Sequence, residues 1–294
     1  MKRRVLVLKG GGVKGYLQAC CLAELESEGL DISGMDLKVG TSVGAINAAY
    51  LSCGKRAVDL SKMYPGMVSR IFKRGWFPRF PLYDRVHFAK VWGELIGAKK
   101  LGDVLGRLMI TSVDRVEDVP HFFKSWESKD SGLDLSEVIQ RSFAAPYYFG
   151  QLVDRVAGKV WLDGGVGIDN LPLEYALVEI LLLGWLEDEV EIYSFGTGYV
   201  RKEVDFEKVS RGGVVGQVMD FIKPGSGGLA REMSSQEQVR RVRKVSNELG
   251  QVKYYHYDIA IPAEIDGMDK VKCLDAYREY GKLMAWHDGD RPAQ

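Results

Sequence analysis

A serine between two glycines is the part of this sequence whose residue types and spacing best suit chemistry. The pentapeptide Gly40-Thr41-Ser42-Val43-Gly44 has the pattern G-x-S-x-G and follows a short predicted strand, 36–39. The small and apolar residues 45–51 predict a tightly packed helix after it. Strand, sharp turn and helix are the setting in which this pattern forms a nucleophile elbow, with the hydroxyl exposed above the sheet. Taken alone, the pentapeptide also fits an ordinary glycine-rich turn.

A serine that attacks a carbonyl also needs hydrogen-bond donors for the oxyanion that forms. A glycine loop lies between a predicted strand, 4–9, and a predicted helix, 16–29, and offers successive backbone N–H groups. We expect it to form the oxyanion hole, where each donor stabilises the transition state by roughly 3 kcal/mol. The residues of this loop are Gly10, Gly11, Gly12, Val13, Lys14 and Gly15.

The same loop fits a second pattern, because Gly10, Gly12 and Gly15 satisfy G-x-G-x-x-G, the dinucleotide-binding fingerprint. That fingerprint expects an acidic residue at the end of the second strand, whereas this strand ends in Lys38-Val39-Gly40. A P-loop does not fit, since Gly15 is followed by Tyr16. A nucleotide-binding regulatory domain is therefore the alternative from another class of protein, ranked well behind a hydrolase.

Asp163 is the predicted base. It ends a short predicted strand, 159–162, and is followed by Gly164 and Gly165. A carboxylate accepts the proton of a serine hydroxyl if burial raises its pKa or if the transfer accompanies the attack, so a Ser42–Asp163 dyad requires a partly dry site. We expect no catalytic role for the four histidines, His87, His121, His256 and His287.

Together these motifs resemble those of the patatin-like phospholipase family. The matching segments are 10–15, 40–44 and 163–165, and their order and spacing fit over residues 4–261. Supporting matches are Ala144 to Phe149, Asp169 to Pro172 and Ser194 to Gly198.

The resemblance implies a lipid acyl hydrolase that acts without metal or other cofactor. It implies Ser42 as nucleophile, Asp163 as base and the glycine loop as oxyanion hole. Lys9 stands where many members have aspartate, and Lys14 where arginine is frequent, which leaves substrate and rate open. An acyltransferase or thioesterase with the same dyad is the alternative among enzymes.

The order of predicted elements indicates a three-layer α/β/α domain with a mainly parallel central sheet. A helix from Lys55 is predicted to end at Pro65-Gly66. We expect one domain over residues 1–294, with the catalytic motifs within 4–200, an aromatic insertion at 66–83 and a C-terminal helical extension at 204–294.

The aromatic insertion interleaves aromatic and basic side chains. One interpretation is a cap packed over the core; the other is a lipid-interface segment that inserts Trp76, Phe77 and Phe80 among lipids.

Composition limits the choice of partners. The 294 residues include 40 Lys plus Arg and 40 Asp plus Glu, so no net charge draws the chain to nucleic acid. We expect a phospholipid or another lipid ester as substrate, with transient contact to membrane surfaces; the sequence leaves the oligomeric state open. The longest apolar run, 180–186, is far below the ~20 residues of a spanning helix. We expect a cytoplasmic protein, peripheral at membranes, and leave export without a signal peptide open.

Overall fold

A mostly parallel sheet runs through the middle of the computed structural model, which describes residues 1–72, 81–166, 170–201 and 228–286, the last range with side chains from 234 onward. Its strands are β1 (Lys2–Leu8), β2 (Leu37–Thr41), β3 (Arg107–Asp114), β4 (Val119–Lys124), β5 (Leu152–Asp154), β6 (Lys159–Asp163), β7 (Glu189–Phe195) and β8 (Val252–Tyr257). They follow the order β5-β6-β3-β2-β1-β7-β8, and β4 also pairs with β3. The strands from β3 to β8 in that order are parallel, whereas β4, β5 and β6 are antiparallel to their neighbours.

Helices cover both faces of this sheet. They are α1 (Gly15–Ser27), α2 (Val43–Ser52), α3 (Ala57–Ile71), α4 (Arg85–Ile96), α5 (Ser128–Ser131), α6 (Leu135–Ser142), α7 (Leu173–Leu182), α8 (Gly228–Leu249) and α9 (Leu274–Trp286). Because side chains alternate along a strand, Leu6 and Leu8 of β1 pack towards α1, α2, α3 and α9, whereas Val5 and Val7 pack towards α7 and α8. The predicted three-layer fold with a mainly parallel sheet is confirmed.

The predicted end of a helix at Pro65-Gly66 is wrong, because α3 continues through Pro65 to Ile71. Within a helix, proline removes one N–H bond to the preceding turn, and its ring crowds a carbonyl of that turn. The buried face of the helix persists beyond it, since Met67, Val68 and Ile71 are all nearly inaccessible to solvent. Burial of this apolar stripe outweighs the local cost of proline.

The first part of the predicted aromatic insertion, 66–83, is therefore helical, since residues 66–71 belong to α3. Tyr83, at its other end, is buried against Phe72 and Phe149. The predicted lipid-interface residues Trp76, Phe77 and Phe80 lie outside the described residues, and that hypothesis stays a prediction.

The sheet brings two distant parts of the sequence to one place. β4 occupies one edge of β3, so β2 and β6 share the other edge. Thr41 at the end of β2 pairs with Thr111, and Asp163 at the end of β6 pairs with the next residue, Ser112. Asp163 is thus held directly beyond the end of β2, where Ser42 begins the turn into α2.

Candidate active site

Ser42 lies in a sharp turn between β2 and α2. Its backbone has φ 55 and ψ −121, a region that residues other than glycine rarely adopt. The backbone N–H of Ser42 donates to Ser142 Oγ at 2.9 Å, which fixes the turn from the side of α6. The turn also requires close approach of the chain, since a Cβ added at Gly44 would lie 2.2 Å from the carbonyl oxygen of Leu8.

The hydroxyl of Ser42 donates a 2.7 Å hydrogen bond to Asp163 Oδ2. Both side chains are buried, with 5% of Ser42 and 3% of Asp163 exposed. The other carboxylate oxygen, Oδ1, accepts from the N–H of Gly165 at 2.7 Å, and the N–H of Asp163 donates to the carbonyl of Ala144. The carboxylate is therefore held in one orientation, facing the hydroxyl.

The glycines predicted to support these motifs allow close packing, against backbone atoms at Gly40 and Gly44 and first against side chains at Gly164 and Gly165. A Cβ added at any of Gly40, Gly44, Gly164 or Gly165 would lie 2.5 Å or less from another atom. No larger residue fits at these positions without movement of the neighbouring chain.

The described histidines make other contacts. Nδ1 of His256 is 2.7 Å from Ser194 Oγ, and burial, with lesser effects from the charges of Lys9 and Arg243, lowers the pKa of His256 to about 3. His121 packs against Phe123 and Trp161, and burial lowers its pKa as well. His87 lies on the exposed side of α4, and His287 is outside the described residues.

The glycine loop has its first peptide group oriented by side chains from two other segments. The carbonyl of Gly10 accepts from Asn170 Nδ2 at 2.9 Å and from Thr197 Oγ1 at 3.0 Å. Because a trans peptide points its C=O and N–H in opposite directions, the N–H of Gly11 is directed away from these two partners. The N–H of Gly10 donates to the carbonyl of Asn170.

Most other N–H groups of the loop are engaged within the protein. Val13 donates to the carbonyl of Met268 at 2.8 Å, Lys14 to Gly11 at 3.3 Å, and Gly15 to Gly12 and Val13. Within the part of the chain that the structure describes, the N–H groups of Gly11 and Gly12 have no such partner. The dinucleotide-binding alternative loses support here, because a pyrophosphate would require N–H groups that the loop uses internally.

Four residues that orient this site were not predicted: Ser142, Asn170, Thr197 and Met268. Asn170 and Thr197 belong to segments that carried the family resemblance, 169–172 and 194–198, but nothing in their local pattern showed what they bind. Ser142 and Met268 lie in segments without a motif and reach the site only through the fold.

An apolar pocket opens at the Ser42 hydroxyl. It encloses about 530 Å³, including space open to solvent, and Gly12, Ser42 and Asp163 all line it. Its remaining walls are apolar or aromatic: Val43, Ile46, Tyr64, Met67, Val68, Ile71, Phe72, Phe88, Phe143, Ala145, Tyr148, Phe149 and Met268. Its lining suits a hydrocarbon chain.

Among the described residues, no group of histidine, cysteine, aspartate and glutamate side chains is arranged to hold a metal ion. Nor does any described helix combine the length and apolarity needed to cross a membrane.

Comparisons with known proteins point to one family. The model of that family, described as patatin-like phospholipase, matches residues 6–177. The cGAMP-activated phospholipase of Vibrio cholerae serotype O1 is 30% identical over 194 residues, which cover 57% of this chain and 55% of that protein. Patatin-like protein 1 of Oryza sativa subsp. indica is 26% identical over 223 residues, 64% of this chain and 54% of that protein.

The solved structure of VipD from Legionella pneumophila has the same fold, with a TM-score of 0.50 at 12% identity, covering 97% of this chain and 66% of that one. The chain spans about half the length of the curated relatives it matches.

Proposed function

Because the chain belongs to the patatin-like phospholipase family, as the match over residues 6–177 establishes, we propose that it is a lipid acyl hydrolase that cleaves carboxylic esters through an acyl-enzyme on Ser42. The observation that carries this proposal is the 2.7 Å hydrogen bond from Ser42 Oγ to Asp163 Oδ2 at the mouth of an apolar pocket. A nucleophile and a base within hydrogen-bond reach are the minimum that acyl transfer needs.

In the first half of the reaction, Ser42 Oγ attacks the ester carbonyl while its proton passes to Asp163 Oδ2. The 2.7 Å hydrogen bond from Ser42 Oγ to Asp163 Oδ2 already directs this proton to the carboxylate. The N–H groups of Gly11 and Gly12 are the proposed donors to the oxyanion. Of the residues 10–15 predicted to form the oxyanion hole, only these two are therefore proposed to donate to it. Collapse of the tetrahedral intermediate breaks the ester bond, and protonated Asp163 returns the proton to the departing alcohol.

In the second half, water attacks the acyl-enzyme and gives its proton to Asp163. The same two N–H groups receive the oxyanion again. Collapse releases the carboxylic acid, and the proton returns from Asp163 to Ser42 Oγ. The aspartate thus acts first as base and then as acid in each half, with no histidine involved.

The acyl chain is the part of the substrate that the pocket suits. The walls of the pocket come mainly from α2, α3, α4 and residues 143–149. Apart from Ser42, Asp163 and the hydroxyls of Tyr64 and Tyr148, these walls offer few polar side-chain atoms. We expect the head group to stay at the lipid surface, which the protein would contact transiently. We expect no role for nucleic acid.

The test combines covalent labelling with lipid profiling. A fluorophosphonate is expected to label the wild-type protein on Ser42, and mixed phospholipid vesicles are expected to release fatty acids. An arm with added cGAMP belongs in this assay, because the Vibrio cholerae relative bears the name cGAMP-activated phospholipase. Products that carry the acyl group on another acceptor would identify an acyltransferase instead.

Ser42→Ala is expected to abolish both signals. Ser52→Ala is the matched control, since Ser52 is a buried serine at the other end of α2 whose hydroxyl has no hydrogen-bond partner among the described residues. Undiminished hydrolysis by the Ser42→Ala protein would refute the assignment.

A further inference from the structure

Residues 265–269, between β8 and α9, lie directly against the glycine loop from the other end of the chain. The carbonyl of Met268 accepts the N–H of Val13 at 2.8 Å. The preceding residue, Gly12, has φ 61, and a Cβ added there would lie 2.1 Å from that same carbonyl oxygen. The two segments therefore meet backbone to backbone.

A buried ion pair adds a second connection at the next residue of the loop. Lys14 Nζ is 2.6 Å from Asp266 Oδ1, and the two side chains are only 9% and 11% exposed. Because both charges are removed from water, each depends on the other, and removal of one leaves the other buried and unpaired. The positive charge of Lys14 is thus matched within the protein.

The 265–269 segment is itself fixed on both sides. Tyr277 of α9 donates its hydroxyl hydrogen bond to the carbonyl of Ile265 at 2.6 Å, and Tyr83 donates to Asp269 Oδ2 at 2.8 Å. α9 in turn packs closely on α1, where Gly281 meets the backbone of Leu17. The segment can therefore act as a support for the loop.

We propose that the 265–269 segment positions the oxyanion-binding loop, through the Lys14–Asp266 ion pair and the Val13–Met268 hydrogen bond. These contacts hold the loop so that the N–H groups of Gly11 and Gly12 face the reacting oxygen. The inference rests on the function proposed above. It places a working part of the active site outside residues 6–177, and it makes Lys14 a positioning residue rather than a ligand for a lipid phosphate.

Asp266→Asn tests the proposal by steady-state kinetics on a soluble nitrophenyl ester. We expect kcat to fall about 10- to 100-fold, because a misplacement of about 1 Å costs on the order of 100-fold and loss of a whole oxyanion donor costs about 100- to 1,000-fold. KM is expected to change less than kcat, since Asp266 itself does not line the acyl pocket. Asp266→Glu retains the charge and is expected to recover most of the loss.

Asp275→Asn is the matched control. Asp275 forms an exposed ion pair with Arg278 on α9, and this variant is expected to keep the wild-type kcat. An Asp266→Asn protein with wild-type kcat, or with its loss confined to KM, would overturn the proposal.

Lys14→Met separates positioning from phosphate binding. If Lys14 acts through the loop, its loss reduces the turnover of the uncharged nitrophenyl ester and of phosphatidylglycerol vesicles by similar factors. A loss confined to the anionic vesicles would assign Lys14 to phosphate recognition and contradict the proposal.

Hydrogen exchange tests the same contact without relying on activity. The amides of residues 10–16 are expected to exchange faster in Asp266→Asn than in wild type, and at the wild-type rate in Asp275→Asn. Unchanged exchange in Asp266→Asn would show that the 265–269 segment does not hold the loop, whatever activity the variant has. Faster exchange in Asp266→Asn, together with no ester hydrolysis by the wild-type protein, would instead refute only the function proposed for Ser42.

Discussion

Ser42 has a backbone conformation that costs a residue other than glycine on the order of 1–3 kcal/mol. Such a conformation persists only where its surroundings hold it. Here Ser142 accepts a hydrogen bond from the N–H of Ser42, and Asp163 accepts one from the Ser42 hydroxyl. Gly44 allows α2 to approach β1 closely. The position of the reactive hydroxyl is thus determined mainly by residues far away in the sequence.

Asp163→Asn tests the base directly. The amide keeps the size of the carboxylate but cannot accept a proton at neutral pH, so we expect kcat on a nitrophenyl ester to fall about 100- to 10,000-fold, the range for loss of a general base. The four histidine-to-alanine variants form the control set and are expected to keep most of the activity. One folded but inactive histidine variant would reassign Asp163 to an orienting role.

Ser142→Ala tests the support of the turn. It leaves the buried N–H of Ser42 unpaired, which is expected to cost about 1–3 kcal/mol of unfolding free energy and to lower kcat. Ser136→Ala, on the same helix but bonded only locally to Gln140, is the control. Denaturant unfolding measures the change in stability, and ester kinetics measure the change in kcat, for each variant. Equal effects from the two variants would contradict the role of Ser142.

At the scale of elements, β2 and β6 share one edge of β3, and this arrangement brings the serine and the aspartate together. The order of strands and helices could be predicted from local patterns, such as the Asp84 and Gly97 caps that bound α4. The antiparallel entry of β6 could not, because strand direction depends on pairing between distant segments. Continuation of α3 through Pro65 was missed for a related reason, since burial of Met67 and Val68 is a property of the fold.

Gly44→Ala tests the contact between α2 and β1. The added Cβ would meet the carbonyl oxygen of Leu8 at 2.2 Å, and neither backbone can move freely. We therefore expect the free energy of unfolding to fall by about 1–3 kcal/mol or more, and ester hydrolysis to be lost. Gly93→Ala on α4 is the control, because no atom lies within 4 Å of its added Cβ. That change is expected to stabilise the protein by up to about 1 kcal/mol, as measured by denaturant unfolding. A stable, active Gly44→Ala protein would contradict the described turn.

His256 on β8 gives a stability that depends on pH. Burial lowers its pKa to about 3 in the folded protein, below the ordinary value near 6.5. Between these values the unfolded chain binds more protons, so stability falls as pH falls from about 6.5 towards 3. We expect the free energy of unfolding to fall more from about pH 7 to about pH 4.5 in wild type than in His256→Gln. An identical pH dependence in the two proteins would show that His256 is not buried in its neutral form.

At the scale of the whole molecule, the C-terminal elements are built into the fold. β8 extends the sheet beside β7, α9 packs on α1, and residues 265–269 contact the glycine loop. We therefore propose that the chain is one domain, as its sequence predicts.

Gly281→Val tests this integration. Even a Cβ at this position would lie 2.4 Å from the carbonyl of Leu17, so we expect one cooperative unfolding transition, for the whole chain, at a lower denaturant midpoint. Gly66→Ala on α3, with no atom within 4 Å, is the control and is expected to leave the midpoint unchanged or slightly raised. A second transition that the Gly281 change shifts alone would divide the chain into two units.

The support of the glycine loop by residues 265–269 also has a consequence in time. A ribosome makes Gly11, Gly12, Ser42 and Asp163 long before it makes Asp266 and Met268. A nascent chain therefore contains its nucleophile, base and oxyanion donors before it contains the segment that positions those donors. With the loop supported as proposed, the order of synthesis becomes an order of activation, and lipid cleavage begins only after translation has passed residue 269. Ribosome-bound chains arrested before residue 265 are expected to react slowly with a fluorophosphonate, and labelling at the full rate would show that no such delay exists.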